Sequence, residues 1–318
     1  MPSKKIAFVD TVHDVLRKGL EQLGWTCSDL TESTLQEIEN QINDYQGIVI
    51  RSRFTLDKNF LSKATNLEFI ARSGSGLENI DVDYCKHRNI QLFNSPEGNR
   101  NAVAEHAVGM LLALFNQLIK ADTEVRSGKW DREGNRGLEL EGKTVGIIGY
   151  GNNGSTFAKV LSGFGVEILA FDKYKRKFGN DRIQEVSLDE IFLRADIVSF
   201  HIPQNNETIG FLNDEFVSKM KKPFYVLNLS RGKIVSTAAL LKALDSGKIL
   251  GACLDVLEFE KPSFELSDEK KSGEYSPMKN LFSRKNVILS PHVAGWTEES
   301  YYKLSLVLLE KVKKHYSK

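Results

Sequence analysis

Three glycines, Gly149, Gly151 and Gly154, stand in the order G-x-G-x-x-G within the stretch GYGNNG. That spacing suits the approach of a pyrophosphate to bare backbone. Gly149 permits a tight strand-to-helix turn, Gly151 offers no side chain to obstruct a phosphate, and Gly154 lets the next helix pack on the preceding strand. The flanking residues supply those elements. Val145-Gly146-Ile147-Ile148 is the apolar run of a buried parallel strand. Ser155 to Phe164 spaces Phe157, Val160, Leu161 and Phe164 along one helical face. The start of such a helix directs unpaired N–H groups and partial positive charge at an anion. A second apolar run, Val166 to Phe171, ends at Asp172, about 20 residues past the first glycine, where a carboxylate accepts ribose hydroxyls and repels a 2′-phosphate. These residues predict a dinucleotide site that takes NAD in preference to NADP.

More polar chemistry gathers at the ends of strand-like runs. His201 follows residues 196–200, Arg231 follows 224–229, Asp255 lies near the end of 249–256, and His292 follows 287–289. Nearer the start, Arg51-Ser52-Arg53 follows the run 47–50, and Arg72-Ser73-Gly74-Ser75-Gly76 follows 67–71. Ligands of parallel α/β sheets collect at the carboxyl ends of strands. Serines and glycines there offer hydroxyl and backbone donors, and arginines suit carboxylate or phosphate.

Strand-like and helix-like segments alternate through residues 4–98 and again after Asp172, which predicts parallel sheets covered by helices. The first region is flavodoxin-like in outline. Residues 99–120, mostly apolar, read as one long helix linking two domains, too short and too polar at its start to span a bilayer. His106 on that helix reads as a core residue. Residues 122–142 form a polar connector in which Trp130 and Arg132 suit a contact within the chain or with another subunit. Residues 258–280 read as a long surface loop, and 297–316 as an amphipathic helix capped by Thr297 that returns to the first domain. Two helices would then join the domains across a cleft. The expected boundaries are 1–99 with 293–318 for one domain and 100–292 for the other.

Composition narrows the partners. The 318 residues carry 43 basic and 42 acidic side chains, a net charge of +1 that attracts neither nucleic acid nor an anionic membrane. Cys27, Cys85 and Cys253 form no C-x-x-C motif and accompany no metal-ligand spacing, so no metal is expected, and reduced thiols fit the cytoplasm. The start, MPSKKIAFVD, lacks a secretory apolar region.

Six segments carry a family resemblance: ARSGSGLENID (71–81), GNRNAVAEHAVGMLLAL (98–114), the dinucleotide stretch, NLSRGKIV (228–235), GACLDVLEFE (251–260) and SPHVAGWT (290–297). With them the chain resembles the D-2-hydroxyacid dehydrogenases, most closely the 3-phosphoglycerate dehydrogenases. The resemblance implies an NAD-binding Rossmann domain inserted in a flavodoxin-like substrate domain. It implies Arg231 as the catalytic arginine on the substrate carboxylate and 2-oxygen, His292 as the acid/base, and Glu260 as the acid paired with it. The family places that acid directly before a proline; here Lys261 intervenes before Pro262, which leaves Glu258 as a competitor. Cofactor contacts are implied for Asn152, Asn153, Ile202, Leu229, Ser230, Asp255 and Gly295 beside the glycines and Asp172. Asn152-Asn153 replaces the family's more frequent Arg-Ile, so a pyrophosphate-binding arginine is absent and weaker cofactor binding is expected. Arg51 would hold a substrate phosphate, with Ser75 and Gly76 beside the substrate and Arg132 assisting from a neighbouring subunit. The implied activity is hydride transfer between NAD and a D-2-hydroxyacid, foremost 3-phosphoglycerate at the entry to serine synthesis. Glyoxylate or hydroxypyruvate reduction is the alternative, and an NAD-sensing corepressor a more distant one. A homodimer through residues 100–140 is implied, as is the absence of a serine-sensing C-terminal domain.

Overall fold

A computed structural model describes residues 3–260 and 277–317. They divide into two compact units. One runs to Arg100 and resumes at Trp296; the other runs from Asn101 to Glu260 and includes the stretch that ends at Gly295.

The first unit is built on β1 (Lys5–Phe8), β2 (Thr26–Asp29), β3 (Gly47–Ile50), β4 (Phe69–Arg72) and β5 (Gln91–Asn94), in the order β2-β1-β3-β4-β5. Every pairing is parallel. That order is the flavodoxin-like one. The central strands GIVI and FIAR are buried at each residue, as two-sided burial demands. Their side chains alternate between faces: Ile48 and Ile50 join Phe60 and Ile70 in one cluster, while Val49 joins Phe8, Phe69 and Phe93 in the other. Strand β2, TCSD, lies at the sheet edge and is only partly buried. It therefore carries no apolar run, and its sequence does not announce it. Helices α1 (Asp14–Glu21), α2 (Leu35–Gln41), α3 (Lys58–Lys63) and α4 (Val82–His87) complete the alternation.

The expected single helix over 99–120 is two helices. α5 (Arg100–Phe115) and α6 (Leu118–Arg126) meet at an angle of 59°. Gln117 between them adopts a left-handed conformation with φ 51°. Competition for backbone groups explains the break. The Phe115 carbonyl accepts from Leu138 N at 2.9 Å, and Gln117 Nε2 donates to Arg136 O at 2.9 Å. The connector thus takes over a carbonyl the helix would otherwise use. No single helix among the described residues is long and apolar enough to cross a membrane.

The second unit contains β6 (Thr144–Ile148), α7 (Asn152–Leu161), β7 (Glu167–Phe171), β8 (Gln184–Glu185), α8 (Leu188–Arg194), β9 (Ile197–Phe200), α9 (Asp214–Lys219), β10 (Phe224–Asn228), α10 (Thr237–Asp245), β11 (Ile249–Leu254), α11 (Pro277–Phe282) and β12 (Val287–Leu289). Its seven parallel strands run β12-β11-β10-β9-β6-β7-β8. Read from the strand that leads into the glycine loop, this is the dinucleotide-binding order with one added strand. Two apolar clusters cover the faces, with Ile148, Val198 and Val226 in one and Ile147, Ile197 and Leu227 in the other. Residues 261–276 of the expected surface loop lie outside the described residues; from Pro277 the chain is helical, not loop. The last helix, α12 (Glu298–Tyr316), is capped by Thr297 and sends Leu308, Leu309 and Val312 into the Phe8–Phe69 cluster of the first unit.

His201 directly follows β9, with its ring against Phe157, at 5.2 Å between centroids, and Nε2 2.8 Å from Ser199 Oγ. Part of the residue is exposed, but burial of the ring pushes its pKa from 6.5 down to about 4. The unfolded chain then takes up a proton that the folded chain refuses. Stability is complete above the unfolded pKa and declines as pH falls from about 6.5 towards 4. Urea denaturation of wild-type protein and His201→Gln across this range checks the effect: the variant's dependence should be shallower by about one proton, and equal slopes would refute it.

Candidate active site

Strand β6 delivers the chain into the glycine loop, and the loop's geometry shows what each glycine does. Gly149 has φ 95°, and a Cβ there would lie 2.6 Å from His201 O. A Cβ on Gly154 would lie 2.0 Å from Gly149 O, so turn and helix close on each other only without side chains. Gly151 differs, because a Cβ on it would enter open space. That space lies at the start of α7, whose N-cap is Gly151 and which has no side-chain cap. The first N–H groups of the helix are thus available to an anion. Asn153 Oδ1 is buried there without a partner among the described residues. A phosphate-bearing dinucleotide fits this cradle. Asn152 and Asn153 occupy the first two positions of α7.

Asp172 directly follows β7, the strand beside β6. One carboxylate oxygen accepts from Tyr150 N at 2.8 Å; the other accepts from Tyr174 N and Lys175 N, both at 2.9 Å. Burial raises its pKa, but these donors outweigh burial and hold the carboxyl below its ordinary range. The acid therefore stays charged beside the glycine turn, with lone pairs left for ribose hydroxyls.

At the ends of the next strands a second constellation forms. Asn228, the last residue of β10, accepts through Oδ1 from Ser230 N at 3.2 Å and Ser230 Oγ at 2.8 Å, and donates to Arg231 O at 2.9 Å. This folds Leu229-Ser230-Arg231 into a turn, with Arg231 Nη1 on Ser230 O at 2.6 Å. His292 follows β12. Its Nδ1 pairs with Glu260 Oε1, and both side chains are largely buried. Glu260 is steadied by Leu257 N, 3.3 Å from Oε2. Glu258 is engaged elsewhere, accepting from Thr237 N at 2.7 Å at the start of α10. His292 has φ 54°, a conformation costing an L residue roughly 1–2 kcal/mol. Asp255, 1% exposed, holds it there. Its carbonyl accepts from His292 N at 2.8 Å, and its carboxylate accepts from Val293 N and Ala294 N, each at 2.9 Å. Ser290 Oγ donates to the same carboxylate at 2.6 Å and lies 2.9 Å from His106 Nε2. Asp255, expected at the cofactor, also anchors the loop that carries His292. Ile202 and Gly295 are partly buried at the ends of their own segments.

In the first unit, Asp10 Oδ2 accepts from three successive amides, Arg51 N and Ser52 N at 2.9 Å and Arg53 N at 3.1 Å. Arg53 is structural, its guanidinium bonded to the carbonyls of Val9, Leu30 and Ser33. Arg51 is different. Its guanidinium stacks 3.9 Å from the Trp296 ring centroid and donates no hydrogen bond to a described residue. Burial pushes its pKa down, against the opposing influence of Asp10 and Tyr301. Ser75 donates to Asn99 Oδ1 at 3.0 Å, with Gly76 following in a partly buried turn. Arg132 lies on the exposed connector with no hydrogen bond or ion pair to a described residue. Trp296 and His106 are the residues the sequence reading left out. Trp296 carried one signal, its place four residues after His292; His106 carried none, because it sits among the polar residues at the start of a mostly apolar helix.

Residues 108–294 match the NAD-binding domain of the D-isomer specific 2-hydroxyacid dehydrogenases. The hydroxypyruvate reductase of Thermotoga maritima is 34% identical over 92% of this chain and 90% of its own length. The chain belongs to the D-isomer specific 2-hydroxyacid dehydrogenase family. Its second unit is that family's NAD-binding domain. The D-3-phosphoglycerate dehydrogenase of Archaeoglobus fulgidus is likewise 34% identical, over 89% of the chain, but the chain spans about half the length, 51%, of that relative. Among solved structures, the D-lactate dehydrogenase of Aquifex aeolicus, complexed with NAD and lactic acid, superposes with a TM-score of 0.82 at 28% identity over 98% of this chain and 95% of its own.

The glycines of this family member separate folding from binding. Gly154→Ala should lower the Tm, since its Cβ meets a backbone oxygen at 2.0 Å. Gly151→Ala should fold like wild type yet bind NADH about tenfold or more weakly, because the methyl occupies the phosphate's space. Thermal melts and NADH fluorescence titrations check both; wild-type NADH affinity in Gly151→Ala would refute the cradle.

Proposed function

We propose that this protein is an NAD-dependent D-2-hydroxyacid dehydrogenase that oxidises 3-phosphoglycerate to 3-phosphohydroxypyruvate, the entry to serine synthesis. The observation that carries the reading is the partly buried Glu260–His292 pair on the same unit as the dinucleotide cradle. Glu260 engages Nδ1, and Nε2 is assigned to the substrate. In oxidation, neutral His292 takes the hydroxyl proton at Nε2, and the adjacent carboxylate stabilises the imidazolium that forms. In reduction the imidazolium returns the proton to the 2-oxygen. Arg231 takes the substrate carboxylate in a fork and stabilises charge developing on the 2-oxygen. NAD, when bound, accepts the hydride from C2.

Arg51 supports the phosphorylated substrate. Its guanidinium stacks on Trp296 and donates no hydrogen bond to a described residue, which suits it to receive a second anionic group. Ser75 and Gly76 line the same unit's strand ends, and Arg132 assists from a second copy. Reduction of hydroxypyruvate is the second reading, favoured by the Thermotoga relative matched over 90% of its length. A homodimer is supported by the apolar side chains that residues 118–138 expose: Leu118, Ile119, Val125, Trp130 and Leu138. A cytoplasmic setting is supported by three free cysteines.

NADH formation at alkaline pH with 3-phosphoglycerate, D-glycerate and D-lactate tests the reading. His292→Ala should retain NADH binding and lose about a hundredfold or more in kcat; near-wild-type turnover would overturn the acid/base role. Arg51→Ala should raise KM for 3-phosphoglycerate about tenfold and leave D-glycerate unchanged. Trp296→Leu should do the same in smaller measure, and Trp296→Phe should restore the wild-type preference. Equal effects on both acids would discard the phosphate and leave the ketoacid reading.

A further inference from the structure

The second unit carries a connected set of polar side chains that the proposed reaction does not use directly. His106, on α5, lies 2.9 Å through Nε2 from Ser290 Oγ, which lies 2.6 Å from Asp255 Oδ1. Hydrogen counting fixes the direction of this chain. The Asp255 carboxylate also accepts from Val293 N and Ala294 N, and as an anion it has no proton to give. The Ser290 hydroxyl must therefore donate to it. Ser290 Oγ can then only accept from His106, which places a proton on His106 Nε2.

Ser290 has another acceptor within reach, Met110 Sδ at 3.7 Å, one helical turn after His106 on α5. A hydroxyl free to rotate would divide itself between sulfur and carboxylate. A donor arriving from His106 occupies the Ser290 lone pair and leaves its proton aimed at Asp255. The carboxylate so engaged is the one that holds the backbone after His292, whose left-handed conformation needs an external anchor.

We propose that His106 is a positioning residue for His292. It orients the Ser290 hydroxyl, which fixes the Asp255 carboxylate, which sets the backbone from which the imidazole projects. The proposal rests on the dehydrogenase reading above and deepens it. The polar partners of His106 among the described residues are Ser290 and, at 3.9 Å, Asp255, and its side chain keeps 30% exposure, so it can be replaced without opening a buried cavity.

Four variants test this: His106→Leu, His106→Gln, Ser290→Ala, and the Leu and Ala changes combined. His106→Leu should lower kcat about tenfold to a hundredfold while KM for NAD stays within about twofold, since small misplacements of a reacting group cost that much. His106→Gln, which keeps an N–H donor, should recover most of the loss. The combined variant should be no slower than the slower single one, because both break one chain. A wild-type kcat in His106→Leu, additive losses, or a kcat loss matched by lost NADH affinity and Tm would each overturn the positioning role. Nitrogen-15 NMR of the His292 imidazole, assigned with His292→Ala, needs no turnover. Its signals should move in His106→Leu and return in His106→Gln; unchanged signals would overturn the proposal. If wild-type protein oxidises or reduces no 2-hydroxyacid or 2-ketoacid, the dehydrogenase reading fails, and the NMR result still decides the positioning.

Discussion

All seven strands of the larger sheet run parallel, and the chemistry of this protein depends on that constraint. A parallel strand covered by helices on both faces is buried along its length, so ionisable residues are tolerated only where it ends. Because the strands share one direction, those ends share one edge. The loops after β6, β9, β10, β11 and β12 bring Gly149, His201, Arg231, Asp255 and His292 to it. The position of a polar residue at the carboxyl end of an apolar run is therefore more telling than its identity.

Bare strand ends would leave their turns loose, and the fold meets this with one repeated device. An aspartate just past the end of one strand accepts backbone N–H groups from the turn of its sheet neighbour. Asp10 after β1 ties the turn after β3, Asp172 after β7 ties the turn after β6, and Asp255 after β11 ties the turn after β12. Each pair of strands is hydrogen-bonded in the sheet. A carboxylate suits the task because it accepts several bonds and donates none. The three tied turns carry Arg51, the glycine loop and His292, the groups assigned to the phosphate, the cofactor and the transferred proton.

These sites hold conformations that an unconstrained chain would avoid. Gly149 and His292 both have positive φ, one tolerated by glycine and the other imposed on an imidazole by its neighbours. Stiff, satisfied surroundings let such residues persist. The same reasoning covers the stacked Arg51, whose planar guanidinium is held against an indole.

The sequence by itself determined the parallel architecture, the dinucleotide loop and the strand-end placement of Arg231 and His292. Each of these depends on local pattern: apolar runs, glycine spacing, a polar residue at a boundary. Edge strands β2 and β8 escaped because edges need no apolar run, and the break at Gln117 escaped because a carbonyl from residue 115 is claimed by residue 138. Glu258 and Glu260 are indistinguishable as letters. Only the tertiary structure turned one towards Thr237 and the other towards His292. It also decided that Asp255 anchors a loop, that Trp296 stacks on Arg51, and that His106 meets Ser290 across 184 residues of chain. Pairings between residues distant in sequence are set by packing, and no local pattern encodes them.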